Sequence, residues 1–344
     1  MSTRGLLERI ASPASLDLAD LEAALQGILR GEWPLPELTA LLAALRTRGE
    51  DGAMIATGAR VLRGAMIEVP HTLPKVLDTC GTGGDGLATI NLSTAVAFVV
   101  ASLGVPVAKH GNRAVSSRAG SADVVEALGF ALHASPARAA AQLESVGHAF
   151  LFAPAYHPAL RHAAEARRAF GLRSVLNLLG PLVNPARATH QLVGVPEDRL
   201  RRPIAEALAA LGSQRVWVVH GEGTDELYGT THVTEWDGVR LHERVVQPED
   251  AGLARVPMSA LAGGDAAENA ARLEALLGGA EDPALPAVLF GAAGALWVSE
   301  ELDLREGAAR AAEAIASGRV AAWLARARAE ETAPLEVERR EETP

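Results

Sequence analysis

The stretch from Asp78 to Gly129 constrains the fold more than any other part of the chain. It begins DTCGTGGDG and continues through two apolar runs, each followed by small hydroxyl residues and isolated charges. A buried strand is predicted to end near Leu77, and the glycine-rich segment 81–84 follows at once. Because glycine has no Cβ, backbone N–H groups in such a loop can turn inward and approach an anion closely. The sequence therefore predicts a strand followed by an anion-binding loop.

A buried helix is predicted directly after this loop. Asn91, Ser93 and Thr94 open the apolar run 95–101. The first turn of such a helix offers unpaired N–H groups and the positive end of the helix dipole. A strand, a glycine loop and a helix N-terminus in this order are typical of a phosphate site.

The same arrangement is predicted a second time. A short apolar strand, 105–108, is expected to deliver Lys109, His110 and Asn112 to a loop. Small polar residues then precede a helix predicted over 122–128, namely Ser116, Ser117, Gly120 and Ser121. In open parallel sheets, ligands lie outside the carboxyl ends of the strands. Two such loops predict a ligand with two separated phosphate groups.

The charge and cysteine content restrict the partners and the compartment. The formal net charge is −10 at pH 7, whereas a nucleic-acid surface needs clustered Lys and Arg, so no nucleic-acid partner is predicted. The single cysteine, Cys80, excludes internal disulfides and predicts a reducing cytoplasm. We interpret it as a packing residue. The longest apolar stretch, 95–108, is too short and too interrupted to span a membrane, so no membrane partner is predicted.

The remaining pattern predicts a helical part followed by an α/β part. Residues up to about 70 contain leucine stripes at helical spacing, which predict helices only and could also form a dimer face. From about residue 75, short strands alternate with helices, which predicts a mostly parallel sheet covered on both faces. The last helices are predicted over 269–277, 291–298 and 307–328.

Three further segments carry chemistry that the residues alone leave open. Asp225 and Glu226 follow a strongly β-like run, where they could hold Mg²⁺ or form a polar turn. The helix predicted over 159–170 carries Arg167 and Arg168, which could bind an anion or form a solvated basic face. The Pro/Gly-rich loop 177–185 could shape a pocket wall or simply connect two elements.

With these residues laid out, the sequence resembles the anthranilate phosphoribosyltransferase family. The likeness covers most of the chain, and several independent motifs appear in the family's order and spacing. The matching motifs are Gly81–Asp85, Asn91–Thr94, Lys109–Arg113, Ser116-Ser117, Gly120–Asp123, His157–Ala159 and the loop 177–185. The segment Glu222–Thr224 is one residue shorter than the family pattern, whereas Asp225 and Glu226 are retained.

The resemblance implies a fold, a reaction and an assembly. The fold would be the α/β nucleoside phosphorylase/phosphoribosyltransferase type, with a small all-helical domain (1–72, joined by helices around 157–185) and a large α/β domain (73–344). The reaction would transfer the phosphoribosyl group of 5-phosphoribosyl 1-pyrophosphate (PRPP) to the amine of anthranilate, the second step of tryptophan biosynthesis from chorismate. The protein would be a homodimer formed through the helical domain.

The resemblance also implies roles for individual residues. Catalysis would rest on positioning and electrostatics, with Lys109 and Arg167 the most influential residues. Two Mg²⁺ ions per subunit would be held by Ser93, Asp225 and Glu226. Anthranilate would be received by Gly81, His110, Asn112, Arg167, Gly180 and Pro181. PRPP would be bound by Gly81, Thr82, Gly84, Asp85, Thr89, Asn91, Ser93, Thr94, Lys109, Ser117 and Ser121.

Two alternatives share the predicted fold. A pyrimidine nucleoside phosphorylase would use the same glycine loop, but the Lys109–Asn112 stretch and the Asp225-Glu226 pair favour a pyrophosphate substrate. A non-catalytic relative could bind nucleic acid, but the net charge and the aromatic content of 4% oppose it.

Overall fold

The computed structural model describes four stretches of the chain, residues 2–84, 86–114, 118–132 and 134–331. The predicted PRPP-binding residues Asp85 and Ser117 lie outside the described residues. The α-helices are α1 (Thr3–Ala11), α2 (Leu18–Leu29), α3 (Leu35–Arg48), α4 (Gly52–Ala65), α5 (Leu92–Ser102), α6 (Ser121–Ala127), α7 (Pro136–Ser145), α8 (Ala153–Tyr156), α9 (Ala164–Phe170), α10 (Val175–Leu178), α11 (Arg201–Ala210), α12 (Ala266–Leu277), α13 (Leu285–Glu300), α14 (Leu304–Ala316) and α15 (Arg319–Glu331).

The strands form one mixed sheet of seven strands in the order β3-β2-β1-β4-β5-β6-β7. Strands β1 to β5 are parallel to one another, whereas β6 is antiparallel to β5 and forms an antiparallel hairpin with β7. The predicted mostly parallel sheet is confirmed. The strands are β1 (Leu77–Gly81), β2 (Val107–Gly111), β3 (His148–Phe152), β4 (His190–Gly194), β5 (Arg215–His220), β6 (Thr231–Trp236) and β7 (Leu241–Val246).

The start of β2 corrects one predicted boundary. The strand was expected over 105–108, with Lys109 and His110 in the following loop, but it runs from Val107 to Gly111. Pro106 lacks an N–H and cannot donate to the ladder, although its carbonyl oxygen accepts a 2.8 Å hydrogen bond from the Leu77 N–H. The strand therefore starts after Pro106, and Lys109 and His110 belong to its rigid C-terminal half.

Both faces of the sheet are covered, as predicted. Alternate residues of a strand point to opposite faces. In β5, Trp217 joins the apolar cluster formed by α5, α12, α13, α14 and α15, whereas Val216 and Val218 join a second cluster formed by α1 to α4 and α11. Helix α5 is apolar all round because it lies between the sheet and these outer helices, and nearly every one of its residues is buried.

The N-terminal helices also pack against the middle of the chain. Ala166 and Leu179 lie in the same apolar cluster as the buried leucines of α2 and α3. A Cβ placed on Gly58 in α4 would lie 3.1 Å from a methyl carbon of Leu179, so this glycine permits a close approach. The Arg63 Nε atom donates a 2.7 Å hydrogen bond to the Leu182 carbonyl oxygen. The loop around residue 180 is therefore held by the helical part of the chain.

Two helical predictions needed correction. The helix predicted over 307–328 is two helices, α14 and α15, because Gly318 adopts φ +75°, in the left-handed region that ends a helix. The helix predicted over 159–170 begins as a 3₁₀ helix, Pro158–Ala163, before it continues as α9. Other short 3₁₀ helices are Gly180–Leu182, Asp198–Leu200, Pro248–Ala251 and Met258–Leu261.

Within the described stretches, no single helix is long and apolar enough to cross a membrane. Helices α13 and α14 meet the length and composition criteria only as a pair, and a bend of 116° separates them.

Candidate active site

The candidate site lies at one edge of the sheet, beyond the carboxyl ends of four parallel strands. β1, β2, β4 and β5 are adjacent, and their last residues are Gly81, Gly111, Gly194 and His220. Ligands bind beyond this edge in open parallel sheets. Three loops leave it together, after β1, β2 and β5, and they contain half of the predicted site residues.

The glycine loop after β1 is held open by neighbouring groups. Its Thr82 N–H donates to the Gly194 carbonyl oxygen at 2.9 Å, and Gly83 and Gly84 adopt φ +65° and +88°, which favour glycine. The Arg173 guanidinium donates to the Gly83 carbonyl oxygen at 2.7 Å and to the Thr82 hydroxyl at 3.3 Å. Hydrogen bonds to β4 and to Arg173 therefore fix the conformation of this loop.

Arg173 is in turn held by the helical part of the chain. Arg46 in α3 donates a 2.7 Å hydrogen bond to the Arg173 carbonyl oxygen. Burial lowers the pKa of the Arg173 guanidinium, whereas the nearby carboxylates of Glu197 and Asp225 oppose that shift. Sequence reasoning missed both arginines, because neither stands in a motif that a phosphate loop requires.

Asp225 connects the loop after β5 with the glycine loop. Its Oδ2 atom accepts a 2.8 Å hydrogen bond from the Gly83 N–H. A Cβ placed on Gly81 would lie 2.5 Å from the same carboxylate oxygen, so the two loops are in close contact. The shorter Glu222–Thr224 segment thus still brings Asp225 to the phosphate loop. Glu226 follows, with its N–H bonded to the Thr224 hydroxyl at 3.0 Å.

Gly194 at the end of β4 is the position where this contact is tightest. A Cβ there would lie 1.5 Å from the Asp225 carbonyl oxygen. We expect Gly194→Ala to lower the free energy of unfolding in urea by about 1–3 kcal/mol, because the loop must move to relieve the overlap. Gly64→Ala is the matched control, because no atom lies within 4 Å of a Cβ there. Equal unfolding midpoints for both variants would contradict this packing.

Lys109 lies fully inside the site, at 1% exposure. Its Nζ atom donates to the Thr79 carbonyl oxygen at 2.6 Å and to the Ser93 hydroxyl at 3.2 Å. The Thr79 hydroxyl donates to the Ser93 carbonyl oxygen at 2.9 Å. Lys109 therefore joins β2 to the end of β1 and to the first turn of α5, which are the two parts of the first predicted phosphate site.

The buried carboxylate of Asp78 lies close to the Lys109 ammonium group. Burial raises the pKa of Asp78, and the charge of Lys109 is the largest effect that opposes it. The carboxylate accepts hydrogen bonds from the Asn184 amide at 2.8 Å, the His110 N–H at 3.2 Å and the Cys80 thiol at 3.2 Å. Burial and Asp78 together raise the pKa of the Cys80 thiol well above its ordinary value, which is the opposite of an activated nucleophile.

The entrance to α5 is braced by the C-terminal part of the chain. Asn269 donates from its amide to the Asn91 side-chain oxygen at 3.2 Å and accepts a 2.7 Å hydrogen bond from the Gly264 N–H. Thr89 forms an isolated antiparallel bridge with Ala262. Thr94 is fully buried, and its hydroxyl has no partner among the residues that the structure describes.

Asp123 connects the two described ends of the segment between β2 and α6, residues 112–114 and 118–120. Asp123 in α6 accepts hydrogen bonds from the Ala114 N–H at 3.0 Å and the Gly120 N–H at 2.9 Å. Ser121 donates to the Asn112 carbonyl oxygen at 3.4 Å. Asn112 and Ser121, the first residue of α6, are therefore close together.

Two buried histidines line the opposite side of β2. The Nδ1 atom of His110 lies 2.9 Å from the Gly180 carbonyl oxygen, and its ring centroid lies 5.1 Å from that of His157. Burial is the main effect that lowers their pKa values, to about 3 for His110 and about 4 for His157, so both rings are neutral at pH 7. Pro181 is fixed by a 2.6 Å hydrogen bond from the Gln191 amide to its carbonyl oxygen.

Arg167 is the predicted residue that the structure connects least to the others. It lies half-buried on α9, whereas Arg168 is exposed. Burial lowers the pKa of the Arg167 guanidinium, and this group forms no ion pair with any described residue. The 3₁₀ helix Pro158–Ala163 follows His157 directly, and α9 continues it. These two short helices connect Arg167 with the histidine pair.

The residues that could hold a metal supply oxygen atoms only. They are the Ser93 hydroxyl and the carboxylates of Asp225 and Glu226. Among the described residues, no group of three or more His, Cys, Asp or Glu side chains could hold a metal ion. Two carboxylates and a hydroxyl do not form a complete cage, but Mg²⁺ commonly uses one or two carboxylates and completes its shell with water and substrate phosphates. The donor set therefore fits Mg²⁺ bound together with a phosphate ligand.

Comparison with known families matches both parts of the chain. Residues 73–321 match the a/b domain of the glycosyl transferase family, and residues 4–66 match the helical bundle domain of that family. Among curated relatives, anthranilate phosphoribosyltransferase of Caulobacter vibrioides is 48% identical over 325 residues, which cover 93% of this chain and 94% of the relative. The Gluconobacter oxydans enzyme of the same name is 47% identical over 305 residues, covering 87% and 84%.

Solved structures agree with these relatives. Anthranilate phosphoribosyltransferase from Thermus thermophilus superposes with a TM-score of 0.90 at 42% identity, covering 95% of this chain and 99% of that one. The Saccharomyces cerevisiae enzyme in complex with PRPP and Mg superposes with a TM-score of 0.88 at 27% identity, covering 96% and 98%.

Proposed function

This chain belongs to the anthranilate phosphoribosyltransferases of the glycosyl transferase family, and from that premise we propose which of its residues carry the reaction. The enzyme transfers the phosphoribosyl group of PRPP to the amine of anthranilate and releases pyrophosphate, a step of tryptophan biosynthesis. The observation that carries the assignment of its site is that Lys109 bonds both to β1, at whose end the glycine loop begins, and to the first turn of α5.

The chemistry needs electrostatic positioning more than a strong base. An aromatic amine is uncharged at pH 7 and is already a nucleophile. The difficulty lies in the charge that builds on the departing pyrophosphate while the sugar becomes cation-like. Preorganised N–H groups and a fixed cation stabilise such a charge, and alignment of two bound substrates can supply roughly 7–11 kcal/mol of the barrier reduction.

We assign the phosphate groups of PRPP to the glycine loop, the α5 N-terminus and the loop after β2. Lys109 uses two of its three N–H donors on Thr79 and Ser93, which leaves one for a phosphate oxygen. The buried Thr94 hydroxyl, which has no partner among the described residues, is a further donor in the same turn. Asp85 and Ser117 stay predicted contributors from the sequence alone.

Mg²⁺ is the proposed cofactor, held by Ser93, Asp225 and Glu226, and two ions per subunit stay a prediction from the family resemblance. When bound, the metal would supply positive charge to the pyrophosphate. Asp225 has a second contact here, because its carboxylate accepts the Gly83 N–H of the glycine loop. The loop after β5 and the glycine loop would therefore take part together in binding the metal and the phosphate groups.

Arg167 is the proposed partner of the anthranilate carboxylate, beside Asn112 and the Gly180-Pro181 turn. Its guanidinium is half-buried and has no ion pair among the described residues, so a carboxylate would offset the penalty of burying it. We expect Arg167→Ala to raise the KM for anthranilate by about 10–100-fold while the KM for PRPP changes less than about twofold. The measurement is steady-state kinetics with each substrate varied in turn.

The adjacent arginine gives a matched control for that variant. Arg168→Ala removes the same charge from an exposed position of the same helix, so both KM values should stay close to those of the wild type. An anthranilate KM that responds equally to the two substitutions, or to neither, would relocate the carboxylate site.

We also propose the assembly and the domain division that the sequence predicts. The helical domain 1–72, completed by helices around 157–185, would form the dimer face, and 73–344 the α/β domain. Leu18 and Leu35 support a contact there, because each is 38% exposed on a helix of this domain. A cytoplasmic location is the matching expectation for a chain whose single thiol is buried and free. Light scattering of the purified protein tests the dimer.

The reaction itself is tested by following anthranilate fluorescence. The expected result is a loss of fluorescence that requires PRPP and Mg²⁺ and that EDTA abolishes. Phosphate-dependent cleavage of thymidine or uridine, without loss of anthranilate, would instead identify a nucleoside phosphorylase. Salt-dependent retention on single-stranded DNA, with neither reaction, would identify a nucleic-acid-binding relative.

A further inference from the structure

The Arg173 side chain contacts three successive residues of the glycine loop. Its Nη1 atom donates to the Gly83 carbonyl oxygen at 2.7 Å, and its Nη2 atom donates to the Thr82 hydroxyl at 3.3 Å. A Cβ placed on Gly84 would lie 2.7 Å from Nη1, so the guanidinium also packs against that residue. These contacts act on the shape of the loop, because neither acceptor carries a charge that needs neutralising.

The backbone N–H groups of the loop differ in whether the protein already binds them. The Thr82 N–H donates to the Gly194 carbonyl oxygen at 2.9 Å. The Gly83 N–H donates to the Asp225 carboxylate at 2.8 Å. The Gly84 N–H forms no hydrogen bond with any residue that the structure describes. It is therefore the first donor of the loop that a ligand could use.

The hydrogen bond from Arg173 determines the direction of this N–H group. The Gly83 carbonyl and the Gly84 N–H belong to one peptide group, which is planar and trans, so they point in opposite directions. Because Arg173 holds the oxygen, the N–H points away from the guanidinium. Rotation of the peptide group would exchange the two, and a carbonyl oxygen would then face the anion. Glycine on both sides permits such a rotation, since no Cβ restricts it.

The backbone of Arg173 is itself fixed on both sides. Arg46 donates a 2.7 Å hydrogen bond to the Arg173 carbonyl oxygen. The preceding helix α9 is terminated by Gly171 at φ +66°. The Ser174 N–H, which follows, donates to the Asn177 side-chain oxygen at 3.0 Å. The guanidinium therefore reaches the loop from a rigid support, as the fixing of one peptide orientation requires.

We propose that Arg173 is a positioning residue for the phosphate loop. By holding the Gly83 carbonyl oxygen, it keeps the peptide between Gly83 and Gly84 in the orientation that presents the Gly84 N–H to a phosphate group of PRPP. This inference rests on the proposed function and adds a residue that itself touches neither substrate. An arginine suits this task because its planar fork reaches two acceptors at once, whereas a lysine ammonium is a single point charge.

Two substitutions separate this role from that of a nearby charge. Arg173→Met removes every donor, and Arg173→Lys keeps the charge but loses the fork. We expect each to raise the KM for PRPP about 30-fold, and the KM for anthranilate at saturating PRPP less than about twofold, because one well-directed hydrogen bond to phosphate is lost. Calorimetry with inorganic pyrophosphate and Mg²⁺ should show a similar loss of affinity. Wild-type affinity in Arg173→Lys would mean that Arg173 supplies charge alone, and would overturn the inference.

Arg46 allows the same contact to be tested from the helical part of the chain. Arg46→Met should raise the KM for PRPP about threefold in the wild type and should have no effect in Arg173→Met, because Arg46 reaches the loop only through Arg173. Effects that simply add in the double variant would contradict this chain of contacts.

Arg199→Met is the matched control. Arg199 donates to Glu197 at 2.9 Å and to Glu50 at 3.3 Å, two carboxylates whose charges also act on Arg173. Neither of these hydrogen bonds reaches the glycine loop. We therefore expect the KM for PRPP to stay within about twofold of the wild-type value. An equal response of Arg199→Met and Arg173→Met would show that the local charge decides PRPP binding, against the proposal.

The pyrophosphate measurement separates this inference from the proposed function. If the wild type forms no ribosylated product, the proposed function fails, and pyrophosphate binding alone then tests Arg173. Weaker binding in both Arg173 variants supports its role, whereas unchanged binding, or none in the wild type, overturns it. If the wild type is active and folded Arg173→Met keeps its KM for PRPP, the inference fails while the function stands. Arg173→Lys gives the same comparison if Arg173→Met does not fold.

Discussion

Lys109→Met is expected to lower the free energy of unfolding by roughly 3 kcal/mol and to reduce kcat/KM by about 10³. The stability loss has two sources. The Thr79 carbonyl oxygen loses its buried donor, and Asp78 loses the cation whose charge opposes the rise of its pKa. The activity loss follows from removal of the fixed charge beside Ser93, where the phosphate groups are proposed to bind. Urea denaturation and steady-state kinetics measure the two effects separately.

A second substitution distinguishes the structural role of Lys109 from its catalytic one. In Lys109→Met/Asp78→Asn, the buried carboxylate is replaced by a neutral amide of nearly the same shape. We expect much of the lost stability to return, because no uncompensated charge is left in the core. The activity should stay low, because the amide restores no cation. If the double variant regained turnover, Lys109 would act only through the fold.

Asp225→Asn combined with Glu226→Gln is expected to reduce turnover by about 10³ with little change in melting temperature. Both replacements keep an oxygen acceptor, so the hydrogen bond from the Gly83 N–H to residue 225 can persist. The lost property is negative charge, which the proposed metal requires. The Mg²⁺ concentration for half-maximal activity should rise, as should the Mg²⁺ concentration at which PRPP raises the melting temperature.

Glu222→Gln is the matched control for this pair. Glu222 lies in the same loop, but its carboxylate accepts hydrogen bonds from the Thr230 N–H and from Arg255, away from the glycine loop. We expect this variant to keep the Mg²⁺ dependence of the wild type. Unchanged turnover in Asp225→Asn/Glu226→Gln, or an equal response in Glu222→Gln, would show that the metal is held elsewhere.

Local pattern was sufficient to predict the framework of the site. Glycines after a short apolar strand and hydroxyl residues before an apolar helix are constraints that act within a few residues of the chain. The glycine loop, helix α5 and the mostly parallel sheet could therefore be derived before the structure. The predicted boundary of β2 was wrong because Pro106 has no N–H and cannot donate a hydrogen bond to the neighbouring strand. The apolar character of residues 105–108 gives no indication of this effect.

Groups that shape the site from a distance could not be derived in this way. Arg173, Asn184 and Asn269 reach site residues that lie 90, 106 and 178 positions away along the chain. Asn184 did stand in the quoted loop 177–185, but nothing in that motif indicated Asp78 as its partner, and no spacing connects Arg173 or Asn269 with the loops they contact. His157 did stand in a quoted motif, but its pairing with His110 depends on the adjacency of β2 and β3.

The hydrogen bonds from Arg46 to Arg173 and from Arg173 to Gly83 have a consequence for protein engineering. The helical bundle and the α/β domain match two separately recognised domains of the glycosyl transferase family, which suggests modules that could be exchanged between relatives. Because of these two bonds, the exchange would succeed only with a bundle that also supports Arg173. A transplanted bundle without an arginine at position 46 would leave the Arg173 backbone unsupported, and the shape of the phosphate loop would change although no residue of the loop had been altered.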